Sequence, residues 1–276
     1  MNRQTESTEV PHAASLIVNA DDWGRDRETT EKILDCTRCG AVSSVSAMVF
    51  MEDSERGAAV ARERGIDCGL HLNFITPFSR AGTPRRLSEH QHRLSRYLLW
   101  HRFAQVLFHP GLINSFEYVV AAQLDEFSRL FGEPPDRIDG HHHMHLCANV
   151  VFRKLMPPGT VVRRNFTFQP GEKGLCNRIY RQLIDSRLQR RHQLADFLFN
   201  IFPLDPRDRL KRIFSLARQF VVEVETHPVN PDEYRFLAGG EIFRLAGDLQ
   251  VAKRFVLRKT GHRSELLTES SNLGAA

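Results

Sequence analysis

Acidic residues and histidines stand at three separated places in the chain, each at or just beyond a short apolar run. Asp21 and Asp22 follow the run at 16–18, His71 lies in a Gly-Leu-His-Leu run, and residues 139–145 read Asp-Gly-His-His-His-Met-His. Carboxylates and imidazoles together can hold one metal ion and leave an acid and a base beside it. The pattern therefore predicts the site of a metal-assisted hydrolase.

Strands and helices alternate along the chain, and they must position these residues. The patterns predict strands over 16–20, 42–50, 66–72, 137–141, 161–163 and 220–226, and helices over 28–39, 53–64, 115–131 and 149–155. Ser115 is predicted to cap the third helix, a loop is predicted over 76–87, and an aromatic segment over 97–108 follows that loop. Parallel strands linked by helices form an α/β protein whose functional residues gather at the carboxyl ends of the strands.

Composition and charge exclude several classes of protein. With 276 residues and 41% apolar content, the chain can bury a sizeable core, which excludes a disordered protein. The net charge of +5 allows an anionic substrate, but 33 acidic residues interspersed with 38 basic ones do not indicate a nucleic-acid binder. Residues 1–14 are polar and lack a signal peptide's apolar stretch, so the protein is expected to be cytoplasmic. Five cysteines without a framework spacing predict free thiols.

The segment 170–218 is basic, with eleven Lys or Arg residues against four Asp. One interpretation is an inserted helical subdomain with a solvated basic face. The other is a surface that approaches an anionic or lipid-linked substrate at a membrane, helped by the aromatic stretch around Trp100, Phe103 and Phe108. The sequence also leaves a homodimer open.

The two neighbouring aspartates need a bend in the chain to share a site. In an extended segment Asp21 and Asp22 point to opposite faces, but where the strand turns into its loop one can bind a metal while the other takes a proton. Taken alone, the pair is more typical of a turn and helix cap, and His71 is more typical of a hydrogen-bonded core histidine. If residues 139–145 stay extended, Asp139 and the histidines at 141, 143 and 145 lie on one side.

Further candidates lie at the ends of two other predicted strands. Glu225 and His227 share a side of the late strand, so that His227 could protonate a leaving group while Glu225 orients it. A His-Pro pair that merely anchors a loop is the alternative. Arg163 and Arg164 could bind a phosphate or carboxylate of the substrate, or could be surface charge at a strand end.

Four motifs in order resemble those of the YdjC-like carbohydrate deacetylases, a family that includes chito-oligosaccharide deacetylases and hopanoid-biosynthesis-associated members. They are Asn-Ala-Asp-Asp-Trp-Gly at 19–24, Gly-Leu-His-Leu at 69–72, the histidine run at 139–145 and Thr-His-Pro at 226–228. The resemblance runs from about Leu16 to Pro228. It implies a distorted, TIM-like (β/α) barrel of parallel strands, which we expect to form a single domain over 1–276. No motif of the family matches the helical insertion expected around 170–218. The resemblance also implies one divalent metal ion, with Mg²⁺ or Zn²⁺ favoured, and removal of an N-acetyl group.

Carried over by motif position, the resemblance implies a role for several residues. Asp22, His71 and His141 would bind the metal, Asp21 would be the catalytic base, and His227 the acid. We further expect substrate contacts or support of the metal ligands from His143, His145, Arg164 and Glu225. The implied partner is an N-acetylated amino sugar, oligosaccharide or glycolipid, and not a nucleic acid. A metal-dependent phosphoesterase and a catalytically silent glycan-binding protein remain as alternatives.

Overall fold

A sheet of seven parallel strands forms the centre of the computed structural model, which describes residues 15–101, 103–168 and 172–257. The strands are Ser15–Trp23 (β1), Ser44–Ala47 (β2), Cys68–Leu72 (β3), Arg137–Gly140 (β4), Val161–Val162 (β5), Phe197–Asn200 (β6) and Val221–Thr226 (β7). Their order in the sheet is β5-β4-β3-β2-β1-β7-β6. All six pairings are parallel, and the adjacent strands β1 and β7 are buried along nearly their whole length.

Helices connect the strands and cover the outside of the sheet. They are Arg27–Arg38 (α1), Ser54–Arg64 (α2), Arg85–Trp100 (α3), Ile113–Phe131 (α4), Ala148–Arg153 (α5), Leu175–Gln189 (α6), Arg207–Leu216 (α7), Pro231–Ala238 (α8) and Glu241–Ala246 (α9). Two 3₁₀ helices, Pro110–Leu112 and His141–Leu146, precede α4 and α5. Gly65 ends α2 in the left-handed conformation, with φ of 62°.

Hydrogen bonds outside the regular ladders connect the two edges of the sheet. The amide of Val162 in β5 donates to the carbonyl of Gln193 at 2.9 Å, and the amide of Thr167 donates to the carbonyl of Leu198 in β6 at 2.8 Å. The sheet is therefore curled, and its β5 and β6 edges approach each other without forming a full strand pairing. The predicted distorted (β/α) barrel is confirmed.

Several elements differ from the sequence predictions. The helix α3 begins at the end of the predicted loop, continues through residues 88–96, for which no element was predicted, and ends within the predicted aromatic segment at Trp100. It buries Leu87, Gln91, Leu94 and Leu98. Ser115 lies inside α4 and hydrogen-bonds to Nδ1 of His90, so the prediction that it caps the helix is wrong.

The basic region at 170–218 contributes more than helices. It contains α6 and α7, but the apolar residues between them form β6, which pairs in parallel with β7. This part of the region therefore belongs to the sheet. Residues 170 and 171 of the region lie outside the described residues.

Two further features concern membrane-crossing helices and thiols. Within the described ranges, no helix combines the length and the apolar character needed to cross a membrane. The five cysteines are all free thiols, as predicted.

Candidate metal and catalytic site

The site lies at the carboxyl ends of neighbouring strands, where the chain order predicts it. β1 contributes Asp21 and Asp22, β3 contributes His71, and β4 leads directly into His141. In the parallel register His71 stands beside Asp139. Because carboxyl ends of parallel strands meet on one edge of the sheet, residues about 120 positions apart are brought into contact.

A bulge at the end of β1 allows both aspartates to face the site. The register between β1 and β2 shifts between Ala20 and Trp23, and Asp22 has a φ of 70°, in the left-handed region. Such a bulge re-aims a side chain that a regular strand would send to the opposite face. Asp21 and Asp22 are each only 2% exposed, so both carboxylates are held in the interior.

Asp22, His71 and His141 form a group whose arrangement suits one metal ion. One ligand atom from each lies within 4.8 Å of the others. Oδ1 of Asp22 lies 2.9 Å from Nδ1 of His141 and 3.4 Å from Nε2 of His71.

Unused lone pairs support this assignment. The buried Oδ1 of Asp22 and Nε2 of His71 form no hydrogen bond with any described residue, although they lie close to other polar atoms. Buried polar atoms are normally paired, because an unpaired one loses its bonds to water without replacement. Two imidazoles and one carboxylate are also ligands that divalent metals accept. The residues present therefore fit a metal ion.

Asp139 fixes the orientation of His71. Its Oδ1 lies 2.8 Å from Nδ1 of His71, and its Oδ2 accepts a hydrogen bond from the hydroxyl of Ser46 at 2.5 Å. A proton on Nδ1 of His71 leaves the lone pair of Nε2 directed toward Asp22. A carboxylate behind a metal-binding histidine sets the tautomer and strengthens the ligand. No separate role for Asp139 was predicted from the sequence.

Arg163 is buried beneath the site among carboxylates from three strands. Its guanidinium donates to both oxygens of Asp21, at 2.6 and 2.7 Å, and contacts Asp139 at 2.8 Å. It also contacts Glu223 at 2.7 Å and Glu225 at 3.1 Å. The Arg163 side chain is 1% exposed, so it is neither surface charge nor available to a substrate anion. Both sequence interpretations of Arg163 are wrong.

Two other groups of side chains also bring acidic and histidine atoms within 4.8 Å, and Asp21 belongs to both. They are Asp21 with His71 and Asp139, and Asp21 with Glu225 and His227. The oxygens of Asp21 already accept from Arg163, and Asn19 donates to Oδ1 of Asp21 at 2.9 Å. A cation placed there would face the guanidinium, so the group around Asp22 is the better candidate.

The run of histidines does not continue as a strand, contrary to the extended geometry that the alternation assumes. His142 and His143 have φ values of 52° and 56°, and residues 141–146 form a 3₁₀ turn. His142 is exposed, whereas His145 is fully buried and its Nε2–H donates to the carbonyl of Arg163 at 2.9 Å. The prediction that the histidines at 141, 143 and 145 lie on one side of a strand is therefore wrong.

The turn sends His143 toward β7. Its Nε2 lies 3.0 Å from Oε2 of Glu225, and its ring packs against Phe166 with centroids 4.4 Å apart. Nε2 of His227 lies 3.9 Å from Oε1 of Glu225 and 4.0 Å from Oδ2 of Asp21. With a side chain 31% exposed, His227 lies where the site opens to solvent.

Charges in the site shift several pKa values strongly. Burial alone would raise the pKa of Asp22, yet the imidazoles of His141 and His71 hold it well below its ordinary value. Burial opposes protonation of His71, but Asp21 and Asp139 raise its pKa well above the ordinary value. The pKa of Glu225 is lowered by His143 and Arg163 in spite of burial. These charges therefore favour the ionised forms of the Asp22 and Glu225 carboxylates.

Arg164 turns away from Arg163 and contacts α6. Its guanidinium donates to Asp185 at 3.1 Å and to the carbonyl of Asp196. Its side chain is 20% exposed, so one part still reaches solvent. These contacts do not test its predicted role in substrate binding.

Comparisons with known proteins match most of the chain to one family. The family model described as YdjC-like protein matches residues 15–245. The chain is 33% identical over 137 residues to the chitooligosaccharide deacetylase of Yersinia pestis (strain Pestoides F). The matched residues make up 49% of this chain and 52% of that protein. The chitooligosaccharide deacetylase of Proteus mirabilis (strain HI4320) is 33% identical over 142 residues, covering 51% and 52%. The matched part thus spans about half the length of these relatives.

A solved structure supports the fold alone. The putative cellobiose-phosphate cleavage protein of Enterococcus faecalis V583 superposes with a TM-score of 0.59 at 17% identity, covering 87% of this chain and 97% of that one. At this identity the similarity concerns the arrangement of strands and helices and carries no information on substrate.

Proposed function

Because the chain belongs to the YdjC-like protein family, we propose that it is a metal-dependent hydrolase that removes an N-acetyl group from an amino-sugar-containing carbohydrate or glycolipid. The observation that carries the proposal is the convergence of Asp22, His71 and His141 beside a carboxylate, Asp21, that is held by another partner. The names of the two bacterial deacetylases support the same reaction. The cytoplasm is the proposed location.

The proposed ligands are Asp22, His71 and His141, which would hold one divalent cation, Mg²⁺ or Zn²⁺. When bound, such an ion polarises the acetamide carbonyl and lowers the pKa of the attacking water. Asp139 holds His71 in the tautomer that this role requires, since its carboxylate faces Nδ1.

Asp21 is the proposed catalytic base. As water attacks the carbonyl carbon, one proton passes to the carboxylate of Asp21 while the new C–O bond forms. Arg163 fixes both oxygens of this carboxylate, which keeps the base in one orientation. Oδ1 also accepts from Asn19, so the remaining lone pair of Oδ2 is the one that would accept the proton.

His227 is the proposed acid. When the C–N bond breaks, the electron pair stays on nitrogen, and a proton from the imidazole of His227 gives the free amine, with acetate as the other product. Its partly exposed position, 4.0 Å from Asp21, suits a group that meets the leaving amine at the mouth of the site. Glu225, 3.9 Å from the ring, would orient it.

The remaining predicted residues are proposed to surround the substrate or the ligands. His143, whose side chain is 22% exposed, and Arg164 would contact the sugar or a group attached to it. His145 would support the site from below, because it binds the backbone of Arg163.

A panel of substrates tests the reaction class. Metal-stripped protein is supplied with single divalent ions and incubated with N-acetylated amino sugars, chito-oligosaccharides, glycolipids and phosphate esters, and released acetate and phosphate are measured. Metal-dependent acetate release supports the proposal. Phosphate release without acetate would replace it with a phosphoesterase. Glycan binding without either product would replace it with a silent binding protein.

The Asp21→Asn variant tests the role of Asp21 as the base independently of metal binding. The variant should keep its metal and lose turnover by about 10²–10⁴-fold, the usual contribution of a general base. Asp125→Asn, an exposed carboxylate on α4, is the matched control and should retain parental turnover. Near-parental deacetylation by Asp21→Asn would show that the base is a different residue.

A further inference from the structure

Exposed apolar side chains concentrate on one part of the surface. Of the fourteen exposed large apolar residues in the described part of the chain, ten lie in three neighbouring places. Six fall between Leu99 and Phe108, one is Phe152 on α5, and three are Leu175, Ile179 and Leu183 along α6. Such clustering marks an interaction surface, whereas exposed apolar residues scattered singly are ordinary.

Ring contacts join these places into one surface. The rings of Phe108 and Phe152 are 6.5 Å apart, and the guanidinium of Arg187 lies 4.7 Å from the centre of the Phe152 ring. Leu175, Ile179, Leu183 and Arg187 are spaced by four residues, so they share one stripe of α6. We call this surface, from Leu99 through Phe152 to α6, the aromatic-basic face.

Arginines accompany the apolar side chains. Arg93 and Arg96 on α3 are exposed, and with Trp100 they line a surface cavity of about 620 Å³. Neither arginine forms an ion pair with another described residue, so both remain available to an external anion. Leu99 is 65% exposed and Trp100 is 81% exposed, next to this cavity.

We propose that the aromatic-basic face docks this protein onto an anionic lipid bilayer. Tryptophan and phenylalanine insert at the boundary between headgroups and acyl chains, and arginines beside them bind the phosphates of anionic lipids. A second copy of the chain is a poorer occupant, because a symmetric contact would bring the unpaired arginines of both copies together. The proposal does not depend on the chemistry of the site.

The two tryptophans give a direct test with the full chain. Trp100 lies on the proposed surface, whereas Trp23 is 1% exposed and serves as an internal reference. With vesicles of phosphatidylcholine and phosphatidylglycerol that carry brominated acyl chains, the Trp100 emission should move to shorter wavelength and be quenched. Trp100→Phe should leave an emission that the same vesicles do not quench.

Charge variants distinguish an effect of this surface from an effect of the protein's net charge. Arg93→Glu with Arg96→Glu should weaken vesicle binding at least about tenfold, given the usual contribution of a basic residue near an anionic bilayer. Arg62→Glu with Arg64→Glu, on exposed positions of α2, changes the net charge equally and should retain most of the binding. Equal loss in both variants would overturn the proposal, as would equal binding to pure phosphatidylcholine. So would a lipid-independent shift of Trp100 emission that follows protein concentration, which would identify a dimer.

Discussion

The guanidinium of Arg163 donates one hydrogen bond to each carboxylate oxygen of Asp21, at 2.6 and 2.7 Å. The two residues are 142 positions apart, and the Asp21 and Arg163 side chains are 3% and 1% exposed. A bidentate pair of this kind fixes the plane of the carboxylate as well as its position. Asp22, one residue away, has no such partner for its Oδ1 atom. The two neighbouring aspartates therefore differ: both oxygens of Asp21 bind Arg163, whereas Oδ1 of Asp22 has no hydrogen-bond partner among the described residues.

The first prediction concerns Arg163→Lys. Lysine retains the charge but cannot form the planar bidentate contact, so Asp21 becomes free to rotate. Turnover should fall about a hundredfold, the usual effect of misplacing a catalytic group by about 1 Å. KM should change far less than kcat, because Arg163 is buried and does not reach the substrate.

A control distinguishes orientation of Asp21 from general damage to the fold. Arg153→Lys alters an exposed ion pair with Glu117 and should leave kcat unchanged. Thermal unfolding should show Arg163→Lys still folded, whereas removal of the charge in Arg163→Ala should cost about 3–5 kcal/mol by leaving buried carboxylates unpaired. Unchanged kcat in folded Arg163→Lys would show that Asp21 needs no orientation by this residue.

The position of Arg163 could not be predicted from the sequence. The strand ends themselves could be predicted, because apolar runs bounded by polar residues identify them and parallel order brings them together. An arginine after a two-residue strand gives no sign of its partners, which come from β1, β4 and β7. Asp139 carried a weak signal, since it precedes His141 by two residues and aligns with His71 once the parallel register is known.

The second prediction compares adjacent histidines. His141 lies within the Asp22 group, whereas His142 is exposed. His141→Asn should therefore lose most of the bound metal, and His142→Asn should retain it. Asparagine suits the control because it tolerates the left-handed conformation of residue 142. Metal content per chain, measured by mass spectrometry of the dialysed proteins, checks both, and equal retention would exclude His141 as a ligand.

The third prediction concerns Asp139→Asn. The amide is neutral, so Nδ1 of His71 loses its charged acceptor and the histidine becomes a weaker ligand. Metal affinity should fall about 10–100-fold, as for other partners of metal-binding histidines. Titration calorimetry gives the affinity, and Ser46→Ala, which removes only a hydroxyl that donates to Asp139, should have a smaller effect. A stronger effect from Ser46→Ala would contradict this order of importance.

Local pattern also limited what could be predicted of the fold. The helix α3 was missed because a polar residue, Gln91, occupies a buried position between Leu87 and Leu94, which interrupts the apolar period. The apolar run of β6 lies in a strongly basic segment, which favoured a helical interpretation. The strained turn at His142 and His143 breaks strand alternation without glycine or proline to signal it. In each case packing against distant residues decides a conformation that neighbouring residues leave open.

The fourth prediction concerns stability in acid. Burial, together with the nearby charge of His143, lowers the pKa of His145 to about 3. The ordinary value is about 6.5, so between these pH values the unfolded chain binds a proton that the folded chain does not. The contribution of His145 to stability is therefore complete above about pH 6.5 and is lost as the pH falls toward 3. The loss is at most about 1.4 kcal/mol per pH unit.

His145→Gln tests this dependence because glutamine can still donate to the carbonyl of Arg163 but does not titrate. Urea unfolding of the parent and the variant, measured from neutral pH down to the acid limit of the folded state, gives the free energy of unfolding at each pH. The parent should lose stability faster than the variant as the solution becomes more acidic, so the difference between the two curves changes steadily with pH. Curves that stay parallel would show that His145 titrates alike in the folded and unfolded chains, and that its buried, neutral state does not contribute to the acid sensitivity of the protein.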